Sequence, residues 1–166
     1  MRILGIDPGI ACTGYAVLES GDDGKLFLIE LGVIRTSPQS PMADRLKTVF
    51  DGICEVIASL QPKFFAIESV FVGKNVQSAL KLGHARGAAM VAASKSGLDV
   101  VEFSPREVKQ NITGNGNASK EQVQFMVTSI LKLTKVPKPN DAADAVAIAL
   151  SFLQTYKFKQ IIKELR

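Results

Sequence analysis

Four carboxylates in this chain occupy positions that folding alone does not favour for a charge. Asp7 and Glu68 each end a short apolar run, and Asp141 and Asp144 stand three residues apart at the start of an alanine-rich segment. An ionised carboxylate at the edge of a core is costly to desolvate unless a positive charge compensates it. We therefore interpret these four acids as candidate ligands of a cation.

The composition of the chain favours a hard divalent ion as that cation. There is one histidine, and the two cysteines do not form a cluster with the spacing of metal ligands. Ligand sets made of oxygen atoms alone favour Mg²⁺ or Mn²⁺ over zinc. The sequence therefore predicts a magnesium-type centre rather than a zinc site.

Basic side chains are interspersed with the acids. Many of them fall in segments that the sequence predicts to be loops or helices near the acids: Lys74, Lys81, Arg86, Arg106, Lys109 and Lys120. A nuclease needs this combination, because the acids hold metal and the bases bind phosphate. A solvated surface of mixed charge is the alternative explanation. The net charge of +4 permits a polyanionic partner without requiring one.

Each acid taken singly also has a structural explanation. Asp141 would complement a helix macrodipole by about 0.3–1 kcal/mol. Asp7 could hold the following Pro-Gly turn through its side chain, and Glu68 could pair with a lysine. Asp144 lies a turn further into a segment that is otherwise apolar, which makes it harder to explain. Four such acids projected to one end of a sheet favour the metal site.

The length and composition of the chain indicate one globular domain. With 166 residues and 46% hydrophobic content, the chain can build a substantial core. Cys12 and Cys54 alone predict no disulfide framework, which favours a reducing compartment. We see no signal peptide and no segment able to cross a bilayer, so we expect a soluble, cytoplasmic protein with no membrane partner.

Hydrophobic periodicity and turn signals predict strands and helices in alternation. Strands are predicted at residues 2–7, 15–18, 25–36, 63–70 and 98–103. Helices are predicted at residues 42–59, 75–96, 119–133 and from 140 to about 156, with a flexible polar loop at 110–119. We expect an α/β domain over residues 1–156, with a five-stranded mixed sheet flanked by helices, followed by a basic tail at 157–166 that can fray.

This order of elements brings the acids together. The first three strands form an antiparallel meander, and a right-handed crossover places the fourth strand beside the first. Asp7 and Glu68 then lie at neighbouring strand ends. Asp141 and Asp144 share one helix face because residues three apart are neighbours on a helix. A capping box with Ser119 as the N-cap is predicted to begin the preceding helix.

Three other features have two possible explanations each. The Gly83-x-x-x-Gly87 spacing permits close helix contact, either with the sheet or with a second copy across a two-fold axis. Phe71 follows Glu68 by three residues, and either belongs to the core or stacks on an exposed base. His84 has no second histidine or cysteine at ligand spacing, so we interpret it as a surface or packing residue.

The motifs of the chain closely resemble those of the RuvC family of bacterial Holliday-junction resolvases, over nearly the whole length. The matching segments are Gly5-Ile-Asp-Pro-Gly9, Thr13-Gly-Tyr15, Ala66-Ile-Glu68, Val70-Phe71, Lys74-Asn75, Ser78-Ala-Leu-Lys-Leu-Gly83, Ala85-Arg-Gly87, Pro105-Arg106, Val108-Lys109, Gly114, Gly116, Lys120 and Asp141-Ala-Ala-Asp-Ala145. The block from Glu68 to Gly87 is the most specific, whereas the first glycine-aspartate turn alone is not. Ser69, His84 and the C-terminal tail depart from the pattern expected of relatives.

The resemblance implies a fold, an activity and partners. It implies an RNase H-like fold and a homodimer that cuts four-way DNA junctions by paired symmetric nicks, in homologous recombination and DNA repair. A complex with a branch-migration helicase is a further expectation from the family. The chemistry would be Mg²⁺-dependent phosphodiester hydrolysis with two ions about 4 Å apart in each active site, and Mn²⁺ able to substitute.

The resemblance also assigns roles to individual residues. Asp7, Glu68, Asp141 and Asp144 take the catalytic, metal-binding positions. Phe71 corresponds to the aromatic residue that contacts the junction. Lys109 and Lys120 fall at basic positions implicated in DNA binding or catalysis, and Lys74 is also expected to contact DNA.

Two other functions remain as alternatives. The segment Gly5-Ile-Asp-Pro-Gly9 also looks like the first phosphate hairpin of actin-like sugar kinases, although those need two such domains and a second glycine-rich segment. A non-catalytic module that binds junctions could use the same basic loops. Binding of ATP would favour the first alternative, and binding of a junction without metal-dependent cutting would favour the second.

Overall fold

The computed structural model describes residues 1–69 and 76–164, with side chains described through Tyr156. The strands found in these residues form a five-stranded sheet. They are β1 (Arg2–Asp7), β2 (Cys12–Ser20), β3 (Leu26–Arg35), β4 (Phe64–Glu68) and β5 (Val100–Phe103). The helices are α1 (Met42–Leu60), α2 (Val76–Lys95), α3 (Pro105–Thr113), α4 (Lys120–Ile130) and α5 (Asn140–Glu164).

The sheet is mixed, as the sequence predicts. Its strand order is β3-β2-β1-β4-β5. The β1–β2 and β2–β3 pairs are antiparallel, while β4 runs parallel to both β1 and β5. The meander and the crossover that places the fourth strand beside the first are therefore both confirmed.

Helices cover both faces of the sheet, because alternate residues of its central strands point to opposite sides. Ile3 of β1 belongs to the core layer under α3, α4 and α5. Its neighbour Leu4 belongs to the layer under α1 and α2. Full burial of an aliphatic side chain of this size contributes roughly 1.5–3 kcal/mol. The two layers fix the sheet between the helices, and with it the strand ends that carry Asp7 and Glu68.

The most important difference from the predicted elements is α3. We expected residues 110–119 to be a flexible polar loop, but the helix runs from Pro105 to Thr113. Ser104 is its N-cap, and the Ser104 hydroxyl accepts from the Glu107 N–H while the Glu107 carboxylate accepts from the Ser104 N–H. This capping box satisfies two orphan donors, and Pro105 fits the first helical position, where its missing N–H costs nothing.

The last element in the described residues is the long helix α5. Its helical backbone continues to Glu164, past the residue at which we placed the end of the domain. The division into a domain at 1–156 and a tail at 157–166 remains a prediction. Among the residues that the structure describes, no helix is both long and apolar enough to cross a membrane.

Candidate active site

Asp7 and Glu68 lie side by side at the ends of adjacent parallel strands. Ile6 of β1 pairs with Ile67 of β4, so the next residue of each strand is one of the two acids. The turn after Asp7 is held by Thr13, whose buried hydroxyl donates to the Gly9 carbonyl at 2.7 Å. Both acids therefore project from fixed backbone.

The N-terminus of α5 brings Asp141 and Asp144 to the same place. A methyl group at Gly14, the residue that pairs with Asp7, would lie 2.0 Å from the carbonyl oxygen of Asp141. The first turn of α5 therefore rests directly on the backbone of β2. Buried alanines next to the two acids, including Ala142 and Ala145, allow this close approach. The four acids therefore lie in one cluster, close enough that the charges of Glu68, Asp144 and Asp141 each raise the pKa of Asp7.

The electrostatics of the cluster show a shortage of positive charge. Burial is the main cause that raises the pKa of Asp7 to about 8, and the other three acids raise it further. The pKa of Glu68 is also raised, first by burial and then by the charge of Asp144. Lys120 lowers the pKa of both groups. A cation in this cluster would therefore favour ionisation of Asp7 and Glu68.

Lys120 forms an ion pair with one of the acids. Its Nζ lies 2.5 Å from Oδ2 of Asp144. Lys120 is the first residue of α4, and the predicted capping box is present, with the Ser119 hydroxyl accepting from the Gln122 N–H at 3.2 Å. The hydrogen bond to Asp144 raises the pKa of Lys120, which keeps its ammonium charged.

A groove opens beside Glu68 and Asp144, with a volume of about 250 Å³. Lys109 and Lys120 line it, and α3, the helix absent from the predicted elements, carries Lys109. Its floor is apolar and consists of Pro105, Val108, Val123, Ala147 and Ile148. The groove therefore combines acids and bases at a water-accessible surface. A larger cavity of about 700 Å³, between β3 and α1, contains none of the four acids and is not this site.

Cys12 is a member of the site that sequence analysis did not identify. It begins β2, and its thiol lies beside the carboxylate of Asp141. Burial and this contact raise the pKa of the Cys12 thiol, so it stays protonated as a donor. Its position two residues before Gly14, in the strand that pairs with β1, was the one available signal.

The donor set fits a hard divalent cation, although the side chains are not arranged around one. The acids of the cluster offer carboxylate oxygens alone, the ligands that Mg²⁺ and Mn²⁺ prefer. Within residues 1–69 and 76–164, however, no three aspartate, glutamate, histidine or cysteine side chains are grouped closely enough to hold a metal ion. Asp144 instead pairs with Lys120. Cation binding therefore requires side chains of the cluster to move.

Other predicted residues lie elsewhere. Phe71 and Lys74 fall outside the described residues, so their predicted DNA contacts remain predictions. His84 is exposed on α2, as expected of a surface residue. A methyl group added at Gly83 or Gly87 would meet nothing within 4 Å, so the suggestion that these glycines pack against the sheet is wrong.

Comparison with known proteins identifies the family of the chain. A family model described as crossover junction endodeoxyribonuclease RuvC matches residues 3–152. The crossover junction endodeoxyribonuclease RuvC of Pelotomaculum thermopropionicum is 44% identical over 98% of this chain and 99% of its own length. That of Pseudoalteromonas atlantica is 53% identical over 92% of this chain and 87% of its own.

A solved structure gives the same result for the fold. The Thermus thermophilus RuvC in complex with a Holliday junction substrate superposes with a TM-score of 0.90. It is 37% identical in sequence, and the match covers 96% of each chain. The RNase H-like fold inferred from the sequence motifs is thereby confirmed.

Proposed function

Because the chain belongs to the RuvC family of crossover junction endodeoxyribonucleases, we propose that it resolves four-way (Holliday) DNA junctions by paired symmetric nicks, in homologous recombination and DNA repair. The observation that carries the proposal is the convergence of four acids from β1, β4 and α5 beside a groove lined by lysines. The solved structure of a relative bound to a Holliday junction supports the choice of substrate. Membership of this family also argues against the sugar-kinase alternative.

We propose that Asp7, Glu68, Asp141 and Asp144 would hold two Mg²⁺ ions, for which Mn²⁺ can substitute. Bound there, the ions would supply activation of water and stabilisation of the leaving 3′ oxygen. The chain fixes the positions of these ligands through strand ends and a helix start, which are more rigid than loops. The protonated thiol of Cys12 beside Asp141 would help to restrain that carboxylate.

The bases of the groove would position and neutralise the DNA backbone. Lys109 of α3 and Lys120 of α4 both line the groove, where a phosphate would meet their ammonium groups. Lys74 and Phe71 are proposed to contact the junction beyond the groove. If Phe71 stacks on a base, Phe71→Ala weakens junction cutting; unchanged cutting would assign Phe71 to the core instead.

We further propose that the chain works as a homodimer through α2. Leu80, Gly83, Gly87 and Val91 lie on the helix face that points away from the buried alanines of α2. The Leu80 and Val91 residues are 58% and 59% exposed, so this face of α2 presents aliphatic side chains to solvent. Two such faces could pack closely at the glycines, and two active sites related by a two-fold axis suit a nearly symmetric junction. The helicase partner and the cytoplasmic location remain predictions.

The decisive experiment is cleavage of a labelled four-way junction with Mg²⁺, with and without a chelator. We expect metal-dependent symmetric nicks from the unchanged chain. Asp7→Asn should still bind the junction but lose cutting by at least about 100-fold, because a metal ligand and its charge are removed. The exposed acid Asp99 provides a matched control, Asp99→Asn, which should cut normally. Binding of the junction by the unchanged chain without any cutting would favour a non-catalytic module, and normal cutting by Asp7→Asn would exclude the metal assignment.

A further inference from the structure

We propose that Lys120 is a tethered counter-cation that occupies Asp144 in the resting chain, so that a metal ion must displace it before the centre is complete. The inference rests on the proposed metal-dependent function and adds a competition within that site. It assigns to Lys120 a role before phosphate arrives, besides any contact that it makes with DNA.

The contact itself is direct and central. The Lys120 ammonium is 2.5 Å from the Asp144 carboxylate, and its charge also interacts favourably with Asp7 and Asp141. Lys120 therefore contributes a positive charge to a cluster of carboxylates. A divalent ion bound by the same carboxylate would be repelled by an ammonium at that distance, because both need the same oxygen and carry charge of the same sign.

The same geometry allows the ammonium to leave. The backbone of Lys120 is fixed by the capping box of α4, but its side chain is 49% exposed and four methylenes long. The ammonium can therefore swing into the groove while α4 and α5 stay in place. A phosphate in the groove would attract it in that direction, since Lys120 lines the groove wall.

Lys109 is the natural comparison within the same groove. It also lines the groove, yet it makes no ion pair with any of the residues that the structure describes. Its charge is available to a phosphate without a prior release. The competition should therefore be specific to Lys120, and it should couple the two ligands: DNA that draws Lys120 away would raise metal affinity at Asp144.

The test is binding of Mn²⁺ alone to the full chain by calorimetry and electron paramagnetic resonance, without DNA. We expect Lys120→Met and Lys120→Gln to bind Mn²⁺ roughly three- to fivefold more tightly than the unchanged chain, the gain expected from release of a half-exposed ion pair. Lys120→Arg, which keeps the charge, should stay near the unchanged affinity. Lys109→Met controls for a general loss of positive charge and should change the affinity by less than about 1.5-fold, since salt screens more distant charges.

A double-mutant cycle distinguishes direct competition between Lys120 and Mn²⁺ for Asp144 from general electrostatic repulsion of Mn²⁺ by the charge of Lys120. In an Asp144→Asn background the gain from Lys120→Met should disappear, because Lys120 no longer holds a carboxylate there. Equal or weaker Mn²⁺ binding by Lys120→Met, or a gain that persists in Asp144→Asn, would overturn the inference while leaving the metal centre intact. Failure of every variant, including the unchanged chain, to bind Mn²⁺ would overturn both the inference and the proposed metal centre.

Discussion

Burial and charge repulsion both oppose the ionisation of Asp7. Its carboxyl group lies at the end of a central strand beside three other acids, and its pKa is raised to about 8. In the chain without a cation, Asp7 is therefore mainly protonated at neutral pH. Binding of a divalent ion would shift this equilibrium toward the carboxylate, so cation binding would release a proton from Asp7.

The raised pKa of Asp7 predicts how the stability of the metal-free chain depends on pH. The folded-state pKa of about 8 exceeds the model-compound value of 3.8, so the folded chain binds an additional proton between these values. The contribution of Asp7 to the free energy of unfolding is therefore fully present below pH 4. It is lost as the pH rises toward 8, by at most roughly 1.4 kcal/mol per pH unit. Urea unfolding in the presence of a chelator measures this slope.

Two variants isolate the contribution of Asp7. Asp7→Asn should flatten the slope between pH 5 and 8 and make the metal-free chain more stable than the unchanged chain at pH 8. Asp99→Asn, at an exposed position of the same charge type, should reproduce the unchanged slope. If Asp7→Asn keeps the full slope, burial of this carboxyl is not what opposes its ionisation.

At this scale, the four acids could be predicted and Cys12 could not. Each acid was visible because it ends an apolar run or begins an alanine-rich segment, a pattern local to the sequence. The contact between Cys12 and Asp141 depends instead on the register of β2 against β1 and on how closely α5 lies on β2. Neither distance is encoded by residues adjacent to Cys12.

At the scale of elements, the site depends on how closely α5 lies on the sheet. Gly5 and Gly14 face the backbone of this helix, and a methyl group at either would lie less than 2.5 Å from a carbonyl oxygen. The opposing atoms belong to the helix backbone, which cannot move aside as a side chain can. These two glycines therefore determine how closely α5 approaches the sheet. That approach in turn determines the distance from Asp141 and Asp144 to Asp7.

Gly14→Ala should lift the first turn of α5 and separate the acids. We expect a loss of about 1–3 kcal/mol of stability, as for overpacked cores, together with weaker Mn²⁺ binding and slower junction cutting. Chemical unfolding and Mn²⁺ calorimetry measure the two effects. Gly21→Ala is the matched control, because its methyl group would meet chiefly the flexible side chain of Asp23, and it should be nearly neutral. An unchanged Mn²⁺ affinity in Gly14→Ala would show that this contact does not position the acids.

The helix α3 shows why some elements escape sequence analysis. Its polar second half and the asparagines and glycines that follow favour a loop, and they dominated the prediction for residues 110–119. The decisive signal was the Ser104–Glu107 capping box around a proline, which is compatible with a helix start at Pro105. The omission mattered for function, because α3 carries Lys109 into the groove.

At the scale of the whole molecule, the outward face of α2 is an apolar surface that the fold of a single chain leaves exposed. Val76, Leu80 and Val91 are each more than half exposed on α2, and they flank Gly83 and Gly87. The glycine spacing was visible in the sequence, but its orientation was not, since the small residues of α2 lie on both of its faces. The structure shows that the alanines face the sheet and the glycines face outward, which leaves the second copy as the proposed partner.

Gly83→Leu should convert the proposed dimer into a monomer without harming the fold. A Cβ atom at this position meets nothing within 4 Å, and leucine replaces glycine in an exposed helix, so the circular dichroism spectrum should not change. Light scattering should give 17.9 kDa instead of twice that mass. With single sites, a cruciform plasmid should yield nicked circles instead of linear DNA. The control Lys81→Leu adds the same side chain outside the exposed glycine face and should remain a dimer. If Gly83→Leu is still a dimer and still produces linear DNA, the interface lies elsewhere.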